Sequence, residues 1–517
     1  MKKVSILWTD DEIDLLKSHI LFLEAKGFDV STSSNGDDAI EMVKAQDFDL
    51  IFLDENMPGL SGLQTLNYIK EIKPEIPVIM ITKSEEEDIM EEAIGSKIAD
   101  YLIKPVNPKQ ILLSIKKNID TKRLVSEKTL SHYQSEFGKI GMQISDANSF
   151  SDWADLYKKL VYWELELEKN EEVGMAEVFK MQKSDSNKGF ARFIKKNYES
   201  WFDGSNEKPM MSPNLFKDRI FPMLDEGQKV FVLVIDNFRY DQWKLIQPII
   251  SDSFIVESEE LYCSILPTAT QYARNAIFAG LMPHEINKLY PEYWLNDEEE
   301  GGKNMKEAEL FQTQISRLSK NYKFAYEKIT QMKAGEKIVE NVQDLLNNDL
   351  NILVYNYIDM LSHARTDIEM IRELANDEPA YRSLTVSWFK HSPLYSLIKE
   401  LQQYKVKIVI TTDHGTVRVQ NPVKVVGDKN TSKNLRYKIG RNLNYNPKEV
   451  FEIRDPEKVH LPKTNISSSY IFALNNDFLA YPNNYNYYVN YYKDTFQHGG
   501  VSLEEMIIPF IKLKPNN

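Results

Sequence analysis

Short apolar runs that stop on an acid recur through this sequence. Residues 4–8 run into Asp10-Asp11, 50–53 into Asp54, Val230–Ile235 into Asp236, 351–358 into Asp359, and 405–411 into Asp413. Apolar runs of this length, separated by amphipathic helical patterns, read as buried strands of a parallel sheet. In an open sheet of that kind ligands bind at the carboxyl ends of the strands. The pattern confines the chain to α/β domains whose polar chemistry is gathered along a sheet edge.

The chain has 517 residues, and at about 100–200 residues per domain it holds two to four domains. Three are expected. Residues 1–120 alternate five apolar runs (4–8, 29–32, 50–53, 78–81, 99–103) with helical patterns, which predicts a doubly wound parallel sheet. Residues 121–212 lack strands. Trp153, Leu156, Leu160, Trp163 and Leu167 recur at helical spacing, as do Phe190, Phe193, Ile194 and Trp201, so a helical bundle serving as a spacer is expected there. Residues 213–517 return to α/β alternation, with the Asn- and Tyr-rich stretch 475–492 read as a surface insertion.

Lys plus Arg number 63 against 77 Asp plus Glu, a formal charge of −14, which argues against a protein that coats nucleic acid with its whole surface. Cys263 is the one cysteine, so there is neither an internal disulfide nor a CxxC metal site. The N-terminus meets two acids after a short apolar run, unlike a signal peptide, and no stretch approaches the ~20 apolar residues of a membrane span. A cytoplasmic, multidomain α/β protein is expected.

In the first domain, Asp10-Asp11-Glu12, Asp54, Thr82 and Lys104-Pro105 follow successive strands and so meet at one edge. Clustered carboxylates repel unless a hard divalent cation joins them, and Mg²⁺ prefers such oxygen ligands. A lysine opposite can hold a phosphoryl oxygen. Singly these residues would pass for helix caps; as an ordered set they do not. Together with Glu55-Asn56-Met57-Pro58-Gly59, Ser61-Gly62 and Tyr101-Leu102-Ile103, the set resembles the receiver domain of two-component response regulators over residues 1–120. The resemblance implies phosphorylation of Asp54 by a sensor histidine kinase and Mg²⁺ held by Asp10, Asp11, Asp54 and Asn56. It also implies Lys104 on the acyl phosphate, with Thr82 and Tyr101 as the switch pair. Trp8-Thr9 departs from the small or apolar residues usual before the acid pair.

In the third domain the strand-end acids come with histidines: Asp359 with His363, Asp413 with His414, and His498 before Gly499-Gly500. Three of the eight histidines fall in these places. Asp359 and His363, at i and i+4, can share a helical face. Mixed carboxylate and imidazole donors suit Zn²⁺ or Mn²⁺ better than Mg²⁺. Thr268 and Thr270 follow the apolar segment 261–266 and open a helical run to Ala279. A hydroxyl at a helix start either caps the helix or faces the free amides that bind phosphate. Beside a metal, Thr270 becomes a credible nucleophile.

These motifs, with Val234-Ile235-Asp236, Leu266-Pro267-Thr268-Ala269-Thr270 and Ala279-Gly280-Leu281-Met282-Pro283-His284, resemble the phosphodiesterase branch of the alkaline phosphatase superfamily. Within it, the likeness is to the PglZ domain. The resemblance covers roughly residues 225–515. It implies an alkaline-phosphatase-like fold and two Zn (or Mn) ions, one among Asp236, Thr270, Asp413 and His414, the other among Asp359, His363 and His498. That branch places an Asn three residues after the nucleophile to hold the phosphoryl oxygen; here Ala273 stands there, and Arg274 is the substitute expected. Receiver, helical spacer and PglZ domain in this order are similar to PorX-type regulators of Bacteroidota, which are linked to type IX secretion.

The resemblance implies a two-metal phosphodiesterase controlled by phosphorylation, dimeric when phosphorylated. A basic stretch of Lys424, Lys429, Lys433, Arg436, Lys438 and Arg441 against Asp428 points to a polyanionic substrate such as an oligonucleotide or a cyclic nucleotide. The alternative is a catalytically silent zinc-binding scaffold for a histidine kinase and a sigma factor. DNA binding is disfavoured, since no basic recognition helix follows the receiver.

Overall fold

The computed structural model describes residues 3–83, 98–169, 173–205, 207–297, 299–427, 431–432, 434–463, 465, 467–482 and 484–516, apart from the side chains of 120–127, 173–174, 365, 367 and 369. The chain forms two compact units, residues 1–134 and 135–517.

The first unit is a five-stranded parallel sheet of β1 (Ser5–Thr9), β2 (Asp29–Ser33), β3 (Leu50–Asp54), β4 (Val78–Thr82) and β5 (Asp100–Ile103), in the order β2-β1-β3-β4-β5. Side chains alternate across a strand, and here both faces are dry. Leu7, Ile51, Leu53, Val78 and Met80 pack with Ala39, Val43, Leu66 and Ile69 on one face. Ile6, Trp8, Phe52, Ile79 and Ile81 pack with Leu23, Ile111 and Ile115 on the other. Ser61 and Gln64 form a reciprocal cap that starts the Gly62–Ile72 helix just beyond Asp54.

The second unit centres on a six-stranded sheet. Its strands are β6 (Val230–Ile235), β7 (Phe254–Cys263), β8 (Phe324–Ile329), β9 (Leu350–Tyr355), β10 (Lys407–Thr411) and Ile507–Pro515. β10, β6, β9 and β8 lie side by side and parallel, while Ile507–Pro515 runs antiparallel between β10 and β7. The register pairs Thr411 with Val234 and Ile235 with Tyr355. The residues that follow these three strands therefore emerge at one edge.

The helical segment, expected as a spacer, packs into the second unit from Ser135 onward. Its helix Phe150–Glu168 is capped by Ser149 and Asp152 and buries Trp153, Leu156, Leu160, Trp163 and Leu167, the stripe read from spacing. Trp153 meets Phe190 of the Val173–Asn197 helix at 5.6 Å between ring centroids, and Tyr157 meets Tyr240 of the sheet domain at 6.1 Å.

Two stretches depart in part from expectation. Residues 475–492 are not wholly a surface insertion: Phe478, Leu479 and Ala480 lie in a strand and are buried, while the Tyr485–Tyr492 helix buries nothing. The basic stretch is exposed only in part, as far as the described residues go. Arg436 and Lys438 are buried; Lys424 and Arg441 are exposed; 428–430 and 433 lie outside the described residues.

Candidate functional site

At the edge of the first sheet, Asp10 and Asp54 are buried and Asp11 is exposed, and one oxygen from each lies within 4.8 Å of the others. Lys104 closes the group, its Nζ 2.8 Å from Asp10 Oδ2 and 2.9 Å from Asp54 Oδ1. Burial raises the Asp54 carboxyl above its usual range against the pull of Lys104. Burial also works against the Lys104 ammonium, but its bonds to Asp10 and Asp54 outweigh this and raise it. Thr82 is buried at the end of β4, Tyr101 is half-buried in β5, and Asn56 is exposed just after Asp54. Three acids around one lysine leave excess negative charge, which suits a divalent cation.

At the edge of the second sheet two donor groups form: Asp236, Asp413 and His414, and Asp359, His363 and His498. The first is fully buried, while His363 is exposed. Asp359 and His363 lie on one face of the Tyr357–Asp367 helix, with His363 Nε2 3.6 Å from Asp359 Oδ2; His498 Nε2 is 3.6 Å from Asp359 Oδ1. The rings of His414 and His498 stack at 4.2 Å, which brings the two groups together.

The donors are oriented as ligands. His414 Nδ1 is 3.1 Å from the Gly415 carbonyl, and His498 Nδ1 is 3.1 Å from the Thr268 carbonyl. A carbonyl only accepts, so each Nδ1 carries a proton and Nε2 is the atom turned to the site. Burial and the neighbouring His414 and His363 push His498 well below the usual histidine range, which keeps it neutral. Burial, joined by repulsion from Asp413 and Asp359, pushes Asp236 up against the pull of Arg274. Burial would raise Asp413 too, but His414 and Arg274 hold it well below the carboxylate range. Carboxylates in conflict beside imidazole nitrogens fit a divalent metal.

Thr270 opens the Thr270–Ala279 helix, whose cap residue is Ala269, and neither threonine caps it. Thr270 Oγ1 lies 3.1 Å from His414 Nε2 and 3.4 Å from Asp236 Oδ1, beside the first donor group. Thr268 Oγ1 turns away, donating to the Gly500 carbonyl at 3.0 Å.

Arg274, expected to hold a phosphoryl oxygen, stands among carboxylates. Its guanidinium is fully buried behind the carboxylates, pairing with Asp236, with Asp413 (Nε to Oδ2, 3.0 Å) and with Glu307 (3.6 Å). It braces the carboxylates of Asp236 and Asp413. Sequence reasoning also missed Asn237. At φ 63° its amide points at Asp413 Oδ1 (3.5 Å), and its Nδ2 donates to Ser362 Oγ (3.1 Å) and approaches Asp359 Oδ1 (3.5 Å). Its position directly after Asp236, with a residue type that tolerates positive φ, was the available signal.

The family described as "BREX system PglZ alkaline phosphatase-like domain" matches residues 215–513. "PorX response regulator linker domain" matches 123–202 and "Response regulator receiver domain" matches 6–116. The chain belongs to the PglZ alkaline phosphatase-like family. Receiver, linker and PglZ domain in this order make it a response regulator of the PorX-type architecture.

Among characterised relatives, the transcriptional regulatory protein ZraR of Klebsiella oxytoca is 33% identical over 144 residues, 27% of this chain and 32% of that protein. The transcriptional regulatory protein ResD of Bacillus subtilis is 32% identical over 114 residues, 22% of this chain and 47% of that protein. The chain thus spans less than half the length of either relative. A solved receiver domain protein from Clostridium thermocellum is 31% identical, covering 23% of this chain and 98% of that one, with a TM-score of 0.23. No helix among the described residues is long and apolar enough to cross a membrane.

Proposed function

We propose that the protein is a response regulator phosphorylated on Asp54 whose output domain is a two-metal phosphodiesterase. The observation that carries the second half is the hydroxyl of Thr270 at a helix start, 3.1 Å from His414 Nε2 beside the first donor group. In this reading Asp10, Asp11, Asp54 and Asn56 hold Mg²⁺, Lys104 binds the phosphoryl oxygen, and Thr82 and Tyr101 relay the change. Asp236, Asp413, His414 and Thr270 hold one Zn²⁺ or Mn²⁺; Asp359, His363 and His498 hold the other. Bound there, two such ions supply Lewis-acid charge to an in-line displacement at phosphorus.

The chain's own contribution is placement. Thr270 Oγ1 gives up its proton to solvent and attacks phosphorus; its P–O bond forms as the ester P–O bond breaks, the leaving alkoxide takes a proton from water, and a second water hydrolyses the phosphothreonine to threonine and the phosphomonoester. Arg274 and Asn237 keep the carboxylates in position, and the Thr268 and Gly415 carbonyls fix both imidazole tautomers. An oligonucleotide or cyclic nucleotide remains the proposed substrate, supported by the exposed Lys424 and Arg441 but no longer by Arg436 or Lys438. The PorX-type architecture supports a role in type IX secretion, a sigma factor partner, and a homodimer on phosphorylation.

The test is metal analysis of the purified protein together with hydrolysis of bis(p-nitrophenyl) phosphate and p-nitrophenyl phosphate. Two bound ions with the diester turned over faster support the proposal. Full metal occupancy without hydrolysis of either ester turns the reading to the zinc scaffold.

A further inference from the structure

Residues 502–505 lie between the helical segment and the loops that carry the metal donors. On one side the Val173–Asn197 helix grips them. Asn187 Oδ1 accepts from the Leu503 amide at 2.8 Å, and Asn187 Nδ2 donates to Glu504 Oε2 at 3.1 Å. Lys183 Nζ lies 3.1 Å from Glu504 Oε1 and 2.9 Å from Glu164 Oε2. Asn187, Glu504 and Glu164 are buried, so this contact is a specific, desolvated one.

On the other side the same residues hold the site. The Glu504 carbonyl lies against Gly415, next to His414: a Cβ at 415 would stand 2.0 Å from that oxygen, so only glycine fits. The Gly415 amide donates to the Glu505 carbonyl at 3.2 Å. Glu505 Oε1 accepts from the Gly500 amide (2.9 Å) and Arg436 Nε (3.1 Å), and Oε2 from Ser502 Oγ (2.6 Å) and Arg436 Nη2 (2.6 Å). The Gly499 amide donates to Thr268 Oγ1 at 3.0 Å, and the Thr268 carbonyl takes His498 Nδ1. One short stretch thus touches the linker helix, the His414 loop and the His498 loop, and through Thr268 the approach to Thr270.

We propose that Asn187 and Lys183 are positioning residues for the metal site, acting through Leu503, Glu504 and Glu505, so that the linker helix sets the mutual placement of His414 and His498. The inference rests on the metal reading above and deepens it by naming the element through which the site is regulated. Packed interiors and hydrogen-bonded loops shift between discrete arrangements rather than stretch, so a change at the helix is carried to the donors.

The experiment uses the full chain, with zinc affinity measured by competition with a chromophoric chelator and donor geometry read from the visible absorption of Co²⁺-loaded protein. Removing groups that orient metal ligands weakens binding by about 10–100-fold. Asn187→Ala and Lys183→Met are expected to lose at least about tenfold in zinc affinity and to shift the cobalt bands. Lys180→Met, on the same helix but paired with Glu177 at the surface, is expected to change neither. Asn187→Asp keeps the acceptor for the Leu503 amide while setting a carboxylate against Glu504, and it reads the same junction where the alanine variant does not fold. Parental affinity and unchanged cobalt bands in the folded Asn187 and Lys183 variants would overturn the inference alone. A parent protein that binds no zinc would overturn the metal reading and this inference with it.

Discussion

The hydroxyl of Thr270 lies 3.1 Å from Nε2 of His414, a residue 144 positions further along the chain. The opposite ring nitrogen of His414 is committed to the Gly415 carbonyl. The nitrogen that faces the hydroxyl therefore carries a lone pair in the neutral ring.

This contact fixes the expected behaviour of Thr270→Ala. Because Ala269 is the cap residue and the Thr270 side chain caps nothing, stability should change by less than about 1 kcal/mol. Phosphodiester turnover should fall at least about a thousandfold, with Thr270→Ser retaining part of it. Turnover at the parental rate in Thr270→Ala would show that no threonine ester forms.

Asp54→Ala should abolish labelling by small phosphodonors such as acetyl phosphate, read on a phosphate-affinity gel. Its zinc content should match the parent's, because the Asp10, Asp11, Asp54 group and the two C-terminal groups share no residue. Loss of zinc in this variant would refute the division into separate sites.

Arg436→Met tests whether the basic stretch serves binding or folding. Arg436 and Glu505 are both fully buried and paired, so removing the arginine strands a buried carboxylate. Breaking such a pair costs about 3–5 kcal/mol. A clear drop in melting temperature is expected; a variant that melts with the parent but loses affinity for oligonucleotides would restore Arg436 to the substrate side.

Lys438 gives a pH signature. Burial pushes its ammonium down to about 7, against about 10.4 in an unfolded chain. Between these values the unfolded state holds a proton that the native state has released, so stability rises with pH across that window and is flat beyond it. Lys438→Met removes the dependence. Its gain over the parent should be greatest at pH 7 and below and should vanish near pH 10.4. Parallel stability profiles for parent and variant would contradict this.

The strand ends were legible before any coordinates. An apolar run must be buried, a parallel sheet aligns its carboxyl ends, and an acid placed there has one edge to face. Asp10, Asp54, Asp236 and Asp413 follow from that; Asp359 does not, since its strand stops at Tyr355 rather than at 358 and it stands in the first turn of the Tyr357–Asp367 helix, on the face it shares with His363 as their spacing predicts. What a charged residue does away from a strand end was not legible. Arg274 read in sequence as a holder of the phosphoryl oxygen, and Arg436 and Lys438 as cations for a polyanionic substrate, yet each is buried. A buried cation is tolerated only where the fold delivers partners from afar, as Glu505 reaches Arg436 across 69 residues. The same holds for Thr268 and Thr270, two residues apart and alike in type, which the start of one helix turns in different directions. Sequence determined where charge collects at the sheet edges, because burial and sheet geometry are local and periodic. Tertiary structure decided which charges brace the site and which hydroxyl enters it, because desolvation and pairing depend on neighbours that only the folded chain brings together.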